Sequence, residues 1–207
     1  LGCHRSNQFP SMSARLWASA GDYVKVTGEN TLIYTWKVEG HAPEIASWQA
    51  YLNDSHELWD EYQRNSVLQK ELSTQARSLP KKERDALNLK YDSLENINNK
   101  LIIQINANEI RRMKDSEVDA IWMDKLQRLA MYVDLIKDYP YKEETIALYN
   151  SLTEEQKQTQ LAQETYTMLF PPQHVEAGKE MADADLFDLQ GNKHHLAELK
   201  GKHILID

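Results

Sequence analysis

Between Pro43 and Pro171 the apolar residues recur at three- and four-residue steps, and that period constrains the fold more than any other feature. Such spacing puts apolar side chains on one stripe of an α-helix, and the stripe must be buried against another element. Pro43 suits the first turn of a helix. Trp48, Tyr51, Leu52, Leu58, Trp59 and Tyr62 follow at helical spacing, which predicts one helix running to about Leu79, where Pro80 interrupts it. A second helix carries Leu87, Tyr91, Leu94, Ile97, Leu101 and Ile105, with Lys81, Arg84, Arg111 and Lys114 on its charged flanks. Together these two predict a long antiparallel helical hairpin. Asp115-Ser116-Glu117 reads as a third helix start, with Ser116 as N-cap and acids in the first turn. That helix carries Val118, Trp122, Leu126, Leu129, Val133 and Ile136 on one face and ends before Pro140. A short fourth helix covers 141–150. Thr153 and Gln156 fit a capping box that opens a fifth helix, presenting Leu161, Ala162, Tyr166 and Leu169.

The two ends of the chain carry a different period. Ser19-Ala20-Gly21-Asp22 is a turn signal, and Tyr23–Thr27 and Thr31–Val38 read as strands of a β-meander closed by Gly40. At the far end Asp185–Leu189 alternates as a short strand and runs into the turn Gln190-Gly191-Asn192-Lys193. A brief polar strand, a helical turn over Leu196–Leu199 and a break at Gly201 follow. The apolar run His203-Ile204-Leu205-Ile206-Asp207 reads as a buried parallel strand. An open strand of that kind must pair with the meander, with another chain, or stay poorly ordered. The expected fold is therefore α+β and predominantly helical. Residues 1–40 form the end of a β-module, 41–175 a helical connector of about five helices, and 176–207 the opening of a further domain.

Charge and cysteine content narrow the function classes. Across 207 residues, 32 Asp and Glu outnumber 24 Lys and Arg for a net charge of −8, which disfavours nucleic acid as a partner, since phosphate needs a concentrated basic surface. No apolar stretch approaches the roughly 18–20 residues that cross a bilayer. The chain holds one cysteine, Cys3, so it has no internal disulfide and no CxxC pair. Cys3 reads first as an ordinary thiol; Leu1-Gly2-Cys3 also resembles the tail of a bacterial lipoprotein signal, which would make it a lipid attachment point. His194, His195 and His203 invite a metal reading, but neighbouring residues on a strand point to opposite faces, so no metal and no other cofactor is expected. The aromatic residues Trp48, Tyr51, Trp59 and Tyr62 are the candidate ligand-binding surface. Stripes of this kind are more often core, because aromatics carry much of the buried area in small cores.

The C-terminal stretch resembles the entry into a thioredoxin-like domain of the thiol-disulfide oxidoreductase and peroxiredoxin (AhpC/TSA) superfamily. Asp183, Leu186, Asp188, Gly191, Leu196, Leu199, Lys200, Gly201, Lys202, Leu205 and Asp207 carry the likeness, while Ala182, Ala184 and Asn192 depart from it. With Gly21–Gly28 and Thr35–Val38 ahead of a helical stretch, the layout is similar to TlpA-like oxidoreductases of the Bacteroidetes cell envelope. The resemblance implies disulfide exchange with protein thiol partners in the envelope or periplasm. It implies a Cys-x-x-Cys motif directly after Asp207. It also implies a proton-accepting role for Asp207 beneath that pair, as open a reading as a carboxylate that merely closes the strand. This chain would then be the accessory region of such an enzyme, itself redox-inactive. The alternative is a non-enzymatic helical binding or scaffolding module.

Overall fold

The computed structural model describes residues 15–28, 32–33, 36–171, 185–188 and 190–201. Cys3, Asp207 and the strand expected over His203–Asp207 lie outside them. The chain divides into two compact units, Leu1–Leu169 and Phe170–Asp207.

In the first unit β1 (Lys25–Thr27) and β2 (Lys37–Glu39) form an antiparallel hairpin in which Val26 faces Val38. The Ser19–Asp22 turn ahead of it is closed by Asp22 N–H donating to the Ser19 carbonyl at 3.0 Å, and Gly21 takes φ +89°, which a side chain would resist. Gly28 is needed for a different reason. A Cβ there would stand 2.2 Å from the Trp36 indole, which lies across the end of β1. β2 packs on the first helix, so the hairpin belongs to the helical unit.

The helices are α1 (Pro43–Asn53), α2 (His56–Ala76), α3 (Lys81–Asp115), α4 (Ala120–Leu135), α5 (Lys142–Asn150), α6 (Glu154–Lys157) and α7 (Gln160–Leu169). The predominantly helical class holds, with seven helices among the described residues where five were expected. The single helix expected from Pro43 to Leu79 is two, because the chain leaves helical geometry at Ser55 (φ −132°, ψ 26°). The start expected at Ser116 is also displaced. Ser116 instead closes α3, its hydroxyl donating to the Arg112 carbonyl at 2.9 Å, and Asp119 caps α4 by accepting from Trp122 N–H at 2.7 Å. The capping box is present as read, with Gln156 N–H donating to Thr153 Oγ1 and Thr153 N–H to Gln156 Oε1. It opens the four-residue α6, while the residues expected in the same helix, Leu161 to Leu169, lie in a separate α7.

The core gathers where α4 meets α7, α5, α1 and the C-terminal half of α3. Ile105, Ile121, Trp122, Leu126, Leu129, Ala130 and Ala162 are buried there. Several buried polar groups find partners within the core: Asn106 Nδ2 donates to the Tyr139 hydroxyl at 2.9 Å, and the Thr145 and Thr165 hydroxyls donate to carbonyls one turn back. The α2–α3 hairpin extends away from this core. Every buried residue of α3 lies at Asn98 or beyond, and Ile97, expected in the apolar stripe, is exposed. The hairpin is held by a polar ladder, Asn65 Nδ2 to Asn98 Oδ1 at 3.1 Å and Asn98 Nδ2 to Gln69 Oε1 at 3.2 Å.

In the second unit β3 (Asp185–Phe187) pairs antiparallel with β4 (Lys193–His195), Leu186 facing His194. Asp188 organises the turn between them, accepting from the N–H groups of Gln190 and Asn192 at 2.9 and 2.8 Å and from Asn192 Nδ2. Gly191 takes φ +81° there. A 3-10 turn over Leu196–Leu199 and Gly201 at φ +87° follow.

Candidate functional site

The feature with the strongest electrostatics is an ion cluster buried between α1, α3 and α4. Glu109 and Lys125 have side chains 1 % exposed. Lys125 Nζ donates to Glu109 Oε1 at 2.9 Å, and Arg128 Nη2 donates to the other carboxylate oxygen, Oε2. Lys125 and Arg128 stand three residues apart on α4, one turn, so both reach the same acid on α3. Two cations on one anion leave an excess positive charge, and aromatic faces receive it. Lys125 Nζ lies 4.3 Å from the Trp48 ring centroid and 5.2 Å from that of Tyr51. Burial pushes the Lys125 ammonium down to about 8, against the opposing pull of Glu109. Burial would raise the Glu109 carboxyl, but the Arg128 and Lys125 charges outweigh it and hold Glu109 below its ordinary value.

A second set of contacts surrounds this cluster. Arg112 grips Asp54 with two hydrogen bonds, at 2.5 and 2.7 Å, and its guanidinium lies 5.6 Å from the Tyr51 ring centroid. Asn108 Nδ2 donates to the Asp54 carbonyl and to Ser55 Oγ, at 3.1 and 3.0 Å. The break between α1 and α2 is therefore latched from α3. On the other side Arg15 pairs with Asp124 at 2.6 Å and lies 5.6 Å from the Trp48 ring centroid, while Trp17 packs on Trp48 with centroids 5.7 Å apart. Residues 15–17 thus close over the Trp48 side of the cluster. Covered in this way, Lys125 has no approach for a substrate. The arrangement is chemically a clamp: it fixes three helices at one point.

The aromatic residues singled out in the sequence separate into two pairs. Trp48 and Tyr51 on α1 are buried and cover Lys125. Trp59 and Tyr62 on α2 pack edge to face with centroids 5.6 Å apart, Trp59 buried and Tyr62 half-buried. The break at Asp54–Ser55 divides the pairs, and Trp48, Tyr51 and Trp59 are buried in the manner of core residues. Glu109, Lys125, Arg128 and Asp54 went unread in the sequence, and Arg112 was read only as a charged helix flank. Their signal was position: Glu109 stands four residues from both Ile105 and Met113, and Lys125 three from Trp122 and four from Leu129, so each is a charge inside an apolar stripe.

In the second unit His194 Nε2 lies 3.4 Å from Asp188 Oδ2 and His195 Nδ1 3.2 Å from Asp185 Oδ1, each histidine with a different acid. Among the described residues no group of three or more His, Cys, Asp or Glu could hold a metal ion, and no helix is long and apolar enough to cross a membrane. No protein-family model, curated protein or solved structure matches the chain.

Proposed function

We propose that this chain is the helical accessory region of a cell-envelope thiol-disulfide oxidoreductase, running into the opening strands of a thioredoxin-like domain. The observation that supports the reading is the order of parts over Asp185–Gly201. A strand, a turn through Gly191, a second short strand, a 3-10 turn at Leu196–Leu199 and a break at Gly201 follow one another in the order the resemblance leads one to expect. On this reading the redox chemistry belongs to a Cys-x-x-Cys pair placed after Asp207. One of its cysteines, with a lowered pKa, would attack a partner's disulfide and the other would resolve the mixed disulfide. Cys3, as a lipid attachment point, would hold the protein at the envelope membrane. The helical unit would position the redox domain or present its protein partners. Reading the gene past Asp207 tests this: the reading expects Phe-Trp-Ala-x-Trp-Cys-x-x-Cys or close to it, and a continuation without paired cysteines would sink it.

A second reading, a non-enzymatic binding or scaffolding module, is favoured by one observation. The buried charges of the first unit tie helices together beneath Trp48 and Tyr51, an arrangement suited to holding a shape.

A further inference from the structure

The distal half of the α2–α3 hairpin is a two-helix layer. From Lys81 to Ile97 no side chain of α3 is buried, and none of α2 is buried between Gln63 and Ala76. Two helices alone bury one stripe each against the other; a stable layer is normally covered by a second. On one face the pair leaves an open groove lined by Leu68, Glu71 and Leu72 of α2 and by Lys90 and Leu94 of α3. Leu68 is 47 % exposed, and Ile97, three residues on from Leu94 and so on the same side of α3, is 39 % exposed. Among the described residues neither Glu71 nor Lys90 has an ion-pair partner, though both belong to a chain in which many surface charges do.

We propose that this face is where a second copy of the chain docks, the two hairpins packing face to face into a four-helix layer. The choice of occupant rests on charge. A twofold axis running along the hairpins in the contact plane lays α2 of one copy on α3 of the other. Glu71 on α2 and Lys90 on α3 line the same groove, so in this arrangement Glu71 of each copy would meet Lys90 of the other, twice over. A twofold contact requires a patch that complements itself. A leucine-lined groove with opposite charges on its two helices meets that requirement. A partner carrying one sign of charge would be attracted by one helix and repelled by the other. Leu68 and Ile97, exposed in a single chain, would be covered by their counterparts.

Sedimentation velocity on the full chain, from about 1 μM to about 1 mM, reads the dimer directly. The wild type is expected to pass from monomer to dimer within that range. Glu71→Lys and Lys90→Glu should each weaken the dimer by about tenfold or more, because each turns two attractive contacts into two repulsive ones. The double variant Glu71→Lys/Lys90→Glu should recover the wild-type constant. Leu68→Glu should abolish the dimer, and unchanged far-ultraviolet circular dichroism would show that the helices remain. A wild type that stays monomeric throughout overturns the proposal. So does a dimer whose constant is the same in all variants, which would put the contact elsewhere, or a double variant as weak as the singles.

Discussion

Lys125 is the residue whose chemistry is most altered by the fold. Its ammonium titrates near 8 in the folded chain against an ordinary 10.5, because it is buried. Between those two values the unfolded chain binds more protons than the folded one, so this group's contribution to stability rises with pH. The cost of burying the ammonium is in full force below pH 8 and is relieved as the pH climbs toward 10.5, by about 3 kcal/mol in all. Urea denaturation of the wild type and of Lys125→Met at a series of pH values should show the difference between them shifting in favour of the wild type over that window. Equal pH profiles would mean Lys125 is not buried as a cation. Tyr51 works in the opposite direction: burial pushes its hydroxyl up to about 12, so above an ordinary 10 the unfolded chain gives up the proton first and stability falls. Removing the acid should cost more than removing the amine. Glu109→Gln leaves a buried ammonium with no counter-ion and is expected to lose about 3–5 kcal/mol. Lys125→Met leaves Glu109 held by Arg128 and is expected to lose about 1–3 kcal/mol at neutral pH. None of this was legible as a cluster in the sequence. A charge at an apolar position can be seen there, but Glu109 and Lys125 are brought together only by the crossing of α3 and α4.

At the scale of elements, local chemistry was readable and tertiary latches were not. The Thr153–Gln156 box is made by residues three apart, and it formed as read; Thr153→Ala should cost about 1 kcal/mol in thermal or urea unfolding. The α1–α2 break has a distant cause. Asp54 and Ser55 are held by Arg112 and Asn108, more than fifty residues away, so the helical period runs through the break without a sign of it. Ser116 and Asp119 are both good N-caps, and the sequence has no way to prefer the second; Trp122, whose Nε1 donates to the Met113 carbonyl at 3.0 Å, fixes where α4 can begin. The aromatic stripe spans the same break, with Trp48 and Tyr51 on α1 and Trp59 and Tyr62 on α2. Gly28 gives a test of the hairpin. Gly28→Ala drives a methyl into the Trp36 indole and should cost about 1–3 kcal/mol by unfolding, with the loss concentrated in β1 and β2.

At the scale of the whole molecule, burial runs in a gradient along the 35 residues of α3. Its buried residues all lie from Asn98 to Met113 and none from Lys81 to Ile97, so backbone amides from Leu101 to Met113 should exchange with deuterium far more slowly than those near Lys81 in dilute, monomeric solution. Uniform protection along α3 would contradict that gradient. The second unit shows how far a sequence can be read when its parts are local. The two short strands, the turn through Gly191, the helical turn over Leu196–Leu199 and the break at Gly201 were foreseen, because each depends on neighbours in the chain; that Asp188 leaves the strand to organise the turn was not. On the proposed reading, disulfide exchange belongs to paired cysteines placed after Asp207. The most direct measurement is therefore of disulfide reduction, with insulin as substrate and dithiothreitol as reductant, by the product of the complete reading frame beside this chain alone. The account predicts catalysed reduction by the complete product, lost when its paired cysteines become serine, and none above background from residues 1–207. A complete product without activity, or activity in this chain by itself, would contradict it.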